Sequence, residues 1–176
     1  MTRTRPQPAT GKLGILLPGL GAVSTTFIAG VELARRGLGR PIGSLAELGT
    51  IRLGKRSEGR TPKIRDFVPL TPLRDIVFGA WDPIPDNAYE SALKAGVLDR
   101  HNHIEPIAEQ LRRIEPMPAA FDQRYVKRLQ GLNVIPGTSK REWVEALRGD
   151  IRRFRSENDC DRLVVVWCGP TEIFIK

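Results

Sequence analysis

Cysteine and histidine are scarce in this chain of 176 residues, with two of each. Two cysteines make no disulfide framework, and neither Cys160 nor Cys168 has the spacing of a zinc site. Cys160 falls near an expected helix end and Cys168 at the end of an expected strand, so a reducing, cytoplasmic setting is expected. His101-Asn-His103 has no third ligand beside it and reads as a solvated pair at a helix start; no metal is expected. No apolar run approaches the roughly 18 residues of a membrane span, so no membrane partner is expected. Residues 1–12 are basic and polar without an apolar stretch, so they are not expected to be a secretory signal. Residues 1–11 therefore read as a disordered basic tail ahead of one domain over 12–176. Internal repeats, low-complexity tracts and any evident Ser-His-Asp or Cys-His pattern are missing too.

Acidic residues are outnumbered, 20 against 28 Lys and Arg, giving a net charge of +8. The excess is spread over the tail, residues 52–65 and a late helix, and aromatics make up only 6%. No stripe of base-stacking rings accompanies the charge, so no nucleic acid is expected. A basic protein handling phosphorylated ligands accounts for the balance more simply.

What is present begins with a short apolar run over 13–17, followed at once by Gly19 and Gly21. A helical pattern then takes over with Phe27, Ile28, Val31 and Leu33 and stops at Gly37 and Gly39, predicting a helix over 22–36. Strand, glycine turn and helix start together present backbone N–H groups and about half a positive charge to a phosphate. Gly19-x-Gly21-x-x-Ser24 is a partial dinucleotide fingerprint, with Gly21 allowing close approach to a pyrophosphate. Ser24 and Thr25 would add hydroxyl donors at the helix start. The plainer alternative is a tight turn that needs glycine for positive φ alone.

Further along, Ile42 and residues 50–53 alternate like short strands, and 54–62 reads as a polar loop. A clean strand over 75–79 leads to Trp81-Asp-Pro. Asp86 or Asn87 would cap a helix closed by Gly96, and another helix fits 103–114 before Pro116 and Pro118 break it. A short helix is expected over 123–130. Ser139-Lys-Arg-Glu142 reads as a capping box opening an amphipathic helix with Trp143, Leu147, Ile151 and Phe154 on one face. Residues 163–168 form a near-continuous apolar strand of the kind buried in parallel sheets. Strands alternating with helices predict an α/β, open, mostly parallel sheet with helices on both faces.

In such sheets ligands lie at the carboxyl ends of strands, where an acidic side chain holds the ribose hydroxyls. Glu47 is near enough by count but has no clear strand before it, whereas Asp82 sits just past one. Asp82 is preferred, with a turn-forming Asp before Pro83 as its alternative. Cys168-Gly-Pro-Thr171-Glu172 follows its strand in the same way, which makes the Thr171 hydroxyl a candidate contact. The sequence ends six residues past Pro170, awkwardly for a doubly wound sheet, and the expectation is the front part of a longer enzyme.

Several stretches, in order, carry a family resemblance: Gly19-Leu-Gly-Ala-Val-Ser-Thr-Thr, Gly43-Ser-Leu, Thr50-Ile-Arg-Leu-Gly and Phe78-Gly-Ala-Trp-Asp82. Pro116-Met-Pro, Asp159-Cys-Asp-Arg and Trp167-Cys-Gly-Pro-Thr-Glu172 follow. From about Gly11 to Lys176 the chain resembles the N-terminal part of the myo-inositol-phosphate synthases. That resemblance implies a Rossmann-like domain and an NAD-dependent isomerase acting on D-glucose 6-phosphate, in inositol and phospholipid biosynthesis. Such enzymes oxidise carbon 5, enolise, close the ring by an aldol step and reduce the ketone with the same NADH, so the cofactor must be held throughout.

Matched by position, Gly19, Gly21, Ala22 and Val23 fall on the family's glycine-rich loop, ahead of Ser24. Many members have one more residue and asparagines there, so Ala22 and Val23 offer backbone contacts only. Asp82 matches the aspartate at the adenosine ribose. Ala119 and Ala120 match a cofactor-lining turn that carries a hydroxyl in other members, and Gln130 matches a glutamine near the cofactor. Cys168, Gly169, Pro170 and Thr171 match the loop beside the nicotinamide, with Pro170 departing from the more usual Ser or Asn. The family's catalytic lysines and aspartate lie in the half that follows, so this stretch alone is expected to bind NAD without turnover. The complete enzyme is expected to be a homotetramer. A non-catalytic NAD-binding module or relic is the reading of another class.

Overall fold

The structure, a computed structural model, describes residues 10–169. A parallel sheet organises them, in the order β3-β2-β1-β4, built from β1 (Lys12–Pro18), β2 (Ile76–Trp81), β3 (Pro116–Met117) and β4 (Cys160–Val165). Around it lie α1 (Ala22–Arg35), the single turn α2 (Leu45–Leu48), α3 (Ala88–Ala95), α4 (Ala108–Arg112) and α5 (Lys140–Glu157). The order is that of one half of a doubly wound sheet, with the direction of winding reversing between β1 and β4.

Alternation along β1 and β2 separates two cores. Ile15, Leu17, Phe78 and Ala80 face α1, α3 and α4, joined by Ile28, Leu33, Ala92, Ile107 and Leu111. Leu16 and Trp81 face the other way, onto Phe154 of α5, with Leu147 and Ile151 alongside. Helices therefore cover both faces, as the strand–helix alternation predicts. Full burial of each large apolar side chain contributes about 1.5–3 kcal/mol, and Leu16, Leu17, Ile28, Ile107 and Leu111 are fully enclosed.

The second core depends on glycine for a packing reason. A Cβ on Gly14 would lie 2.8 Å from Phe154 Cε1, and one on Gly79 would lie 2.6 Å from Phe154 Cε2. Only bare backbone at both positions leaves room for the Phe154 ring against the sheet. The long helix starts at Ser139, whose hydroxyl accepts from Glu142 N at 3.4 Å. At α3 the full reciprocal box belongs to Asn87 and Glu90.

Four expectations need correction. Ile42 is 81% exposed in a turn, and residues 50–53 form no strand. Ile51 N donates to Pro62 O and Leu53 N to Arg60 O, but Pro62 has no N–H to return, so the pairing stops at one bridge between Thr50 and Lys63. Residues 123–130 are turns, because the Gln123 amide donates to the carbonyls of Val126 and Leu129 and takes acceptors a helix would use. The expected 103–114 helix is cut into a wide turn (Arg100–Ile104) capped by Asp99, a 3-10 turn (Glu105–Ile107) and α4; Pro106 cannot supply an interior N–H. Finally, β4 is not buried on both faces. It lies at the sheet edge with Val164, Val165 and Trp167 exposed, although Val166 N and Cys168 N still donate to Leu16 O and Pro18 O.

Candidate functional site

The carboxyl ends of β1, β2 and β4 open onto a cleft of about 760 Å³ at the winding reversal, a size ordinary for a small-molecule or cofactor site. Its floor is the glycine loop. Gly19 has φ +96°, and a Cβ there would lie 2.8 Å from both Cys168 O and Gly169 Cα, so conformation and crowding both demand glycine. Gly21, the N-cap of α1, has φ −89°, open to any residue. The turn-only explanation of the motif thus applies at Gly19 and not at Gly21.

Among the described residues, no side chain caps α1 and no acidic residue occupies its first turn. Its leading N–H groups and dipole are left for whatever enters the cleft, which Gly19, Gly21 and Ala22 line. Val23 is exposed beside them but is not part of the wall. Ser24 and Thr25 correct the expectation of hydroxyl donors toward a phosphate. Both are buried, with Ser24 Oγ donating to Gly19 O at 2.5 Å and Thr25 Oγ1 to Gly21 O at 2.9 Å. They brace the loop from within.

Asp82 stands where β2 ends. Its Oδ2 accepts from Leu20 N at 2.6 Å and its Oδ1 from Ile84 N at 2.9 Å, so it ties the glycine loop to the β2 turn. The turn-forming role and the cleft-lining role coincide in this residue. A carboxylate has about four lone-pair positions, leaving two for a ligand's hydroxyls. Burial pushes its pKa up; the N–H groups of Leu20 and Ile84 pull it back, and Asp86 adds repulsion.

The remaining walls are mostly apolar. Trp81, Ile84, Ala119, Ala120, Phe121, Leu147, Ile151, Trp167 and Gly169 contribute, with an Asp86–Lys94 ion pair at one side. Ala119 is held in place by Asn133 and Val134, which bring residues 131–135 alongside Pro83. Gln130 is exposed and does not line the cleft, although its neighbour Leu129 does. Cys168 is half-buried against the first core rather than on the cleft wall. Pro170, Thr171 and Glu172 lie outside the described residues. His101 and His103 are exposed, His103 Nδ1 accepting from Asp99 N, and no cluster of three metal-ligating side chains occurs among the described residues.

Sequence reasoning missed Trp81, Leu147 and Ile151 as cleft residues. The adjacency of Trp81 to Asp82 was the available signal, whereas the other two read as ordinary core.

The cleft fits a dinucleotide by its donor set: uncapped amides for a pyrophosphate, a carboxylate with spare acceptors for a ribose, and apolar walls for ring systems. Residues 13–176 match the NAD-binding family model described as myo-inositol-1-phosphate synthase. Inositol-3-phosphate synthase 1 of Bacteroides thetaiotaomicron is 48% identical over 170 residues, which cover 96% of this chain and 39% of that protein. The rice inositol-3-phosphate synthase 1 is 33% identical, covering 92% of this chain and 34% of its own length. The crystal structure of inositol-3-phosphate synthase from Caenorhabditis elegans superposes with a TM-score of 0.80 at 26% identity, over 94% of this chain and 35% of that one. The chain thus spans about two fifths or less of the length of these relatives. It belongs to the myo-inositol-1-phosphate synthase family, as a Rossmann-like domain whose cofactor is NAD.

Proposed function

We propose that this chain is the NAD-binding part of an inositol-3-phosphate synthase converting D-glucose 6-phosphate to myo-inositol phosphate. The observation that carries the proposal is the meeting of the uncapped α1 start and the Asp82 carboxylate in one cleft at the strand ends. When bound, NAD supplies reversible hydride transfer. The amides of Gly21, Ala22 and Val23 would face the pyrophosphate, and the free lone pairs of Asp82 the ribose hydroxyls. Ser24 and Thr25 keep the loop in shape. Trp81, Ala119 and Ala120 exclude water along the walls.

At the nicotinamide end the loop from Cys168 and Gly169 to Pro170 and Thr171 is assigned by family resemblance, as is Gln130. Gln130 is exposed beside the cleft-lining Leu129, outside the wall itself. The catalytic lysines and aspartate of the family have no counterpart assigned within these residues, so turnover would draw on groups beyond them. We assign residues 12–176 as one domain behind a basic tail, acting in a homotetramer on a small-molecule substrate. Two free thiols, at Cys160 and Cys168, support a cytoplasmic setting. No helix among the described residues is long and apolar enough to cross a membrane.

The test is formation of inositol phosphate from glucose 6-phosphate by the complete protein with NAD. Activity abolished by Gly21→Val supports the proposal. NAD binding without any conversion would favour a non-catalytic NAD-binding module.

A further inference from the structure

Trp81 and Asp150 are 69 positions apart, yet Trp81 Nε1 donates to Asp150 Oδ2 at 2.9 Å inside the second core. Both are nearly enclosed, Trp81 at 5% and Asp150 at 8% exposure. The other carboxylate oxygen of Asp150 accepts from Arg153 Nη2 at 2.6 Å. Trp81 is also joined to the glycine loop, since its carbonyl accepts from Gly19 N at 2.8 Å. The next residue is Asp82, which holds Leu20 N. Loop and α5 therefore meet at one residue, the loop at the Trp81 backbone carbonyl and α5 at its indole, with the ribose-side carboxylate next in sequence.

On α5, Leu147 and Ile151 flank Asp150 and form part of the cleft wall. They pack against the apolar cluster of Leu16, Trp81, Ala119 and Phe154; Phe154 seats the following turn over Gly14 and Gly79, and the turn that carries Leu147 lies further from that anchor. A buried carboxylate is expensive to keep; Arg155 ties the last turn of α5 to the carbonyls of Cys160 and Asp161 in β4, and the Trp81–Asp150 bond adds a directed contact near the cleft, to β2. From this we infer that Asp150 is a positioning residue for the NAD cleft, acting through the Trp81 indole to fix the α5 wall and the end of β2 beside Asp82. The inference rests on the NAD reading given above and names a residue outside the glycine loop on which cofactor affinity depends.

NAD affinity is measured in the complete protein with its own tryptophans, which serves as the parent; Trp81 emission alone is read in a background carrying Trp143→Phe and Trp167→Phe, which leaves Trp81 as the one tryptophan in these 176 residues. Any tryptophans elsewhere in the complete protein are replaced by Phe in that background as well. Asp150→Ala should red-shift Trp81 emission, make it more quenchable by acrylamide, and weaken NAD about tenfold by calorimetry, the scale of one lost charge-assisted bond. Asp150→Asn keeps an acceptor for the indole and should restore both readouts most of the way. Trp81→Phe removes the N–H while keeping a ring, and adding Asp150→Ala to it should weaken NAD no further. If Asp150→Ala does not fold, Asp150→Leu, which fills similar space without an acceptor, takes its place with Asp150→Asn as control: Asp150→Leu must weaken NAD and Asp150→Asn must not. Unchanged emission, an unchanged NAD affinity, or losses that add in the double variant would overturn the inference. A parent protein that binds no NAD defeats the cofactor reading and this inference together, whereas a parent that binds and an Asp150→Ala variant that binds equally defeats this inference alone.

Discussion

Gly79 lies in β2 opposite Leu16, under the ring of Phe154. A methyl group there would meet Phe154 Cε2 at 2.6 Å, and Phe154 Cδ2 and Leu16 Cδ2 at 2.9 Å each. The ring's other edge lies over Gly14, where a Cβ would stand 2.8 Å from Cε1, and Leu16 is fully enclosed, so neither side chain has open space to shift into. Gly79→Ala should therefore cost about 1–3 kcal/mol in overpacking. Against this, alanine restricts the unfolded chain and returns about 0.4–1 kcal/mol, since the backbone at Gly79 is not left-handed. The net expectation spans about 0–2.6 kcal/mol and centres on a loss of about 1.3 kcal/mol, or roughly 3–5 °C in Tm at about 2–4 °C per kcal/mol for a domain of this size. Urea unfolding followed by circular dichroism reads it, with the slope unchanged and the midpoint lowered. Phe154→Leu introduced beside Gly79→Ala should recover part of the loss, a coupling of about 0.5 kcal/mol or more. A Gly79→Ala protein more stable than its parent, or losses that simply add with Phe154→Leu, would refute the claim that these glycines exist to seat α5.

Asp82→Ala removes the acceptor for Leu20 N and the carboxylate expected at the ribose. NAD affinity should fall by about 1–3 kcal/mol, roughly fivefold to 150-fold by calorimetry. The same residue predicts an unusual pH response. Burial raises Asp82 above its ordinary value of 3.8, so its protonated form favours the fold; that contribution is full below 3.8 and is lost as pH rises through the raised folded value. The stability of the parent relative to Asp82→Asn should thus grow as pH falls through that window, and a flat difference in acid unfolding would count against it. Cys160 is buried and its thiol is pushed up, chiefly by desolvation, so iodoacetamide at neutral pH should leave it unmodified until urea unfolds the chain. Rapid labelling of Cys160 in the folded protein, read by mass spectrometry, would contradict its placement under α5.

How much could be read from the sequence follows from how local each feature is. The β1–loop–α1 unit was legible because an apolar run, two glycines and a helical pattern adjoin one another, and Asp82 because it follows its own strand. Phe154 and Ile151 were legible as one face of α5, since spacing by three marks a packed helix face. What Phe154 packs on was not legible, since Gly14 and Gly79 look like ordinary strand weakeners until the ring is placed over them. Residues 50–53 and 123–130 misled for a related reason. Their pattern resembled regular structure, but the outcome turned on Pro62 lacking an N–H and on the Gln123 amide capturing carbonyls. Ser24 was correctly placed at the helix start but given the wrong task, because sequence alone does not show that its hydroxyl turns back to Gly19. The Trp81–Asp150 bond has no signal in the sequence at all.

The central claim is that the glycine loop and Asp82 together hold NAD. Isothermal titration of NAD into the protein and into its Gly21→Val variant tests this most directly, with circular dichroism confirming that both are folded. The account predicts saturable, one-to-one binding by the parent and none measurable by the variant, whose side chain would stand at the uncapped start of α1. Equal affinity in the two folded proteins would place NAD elsewhere and contradict the account.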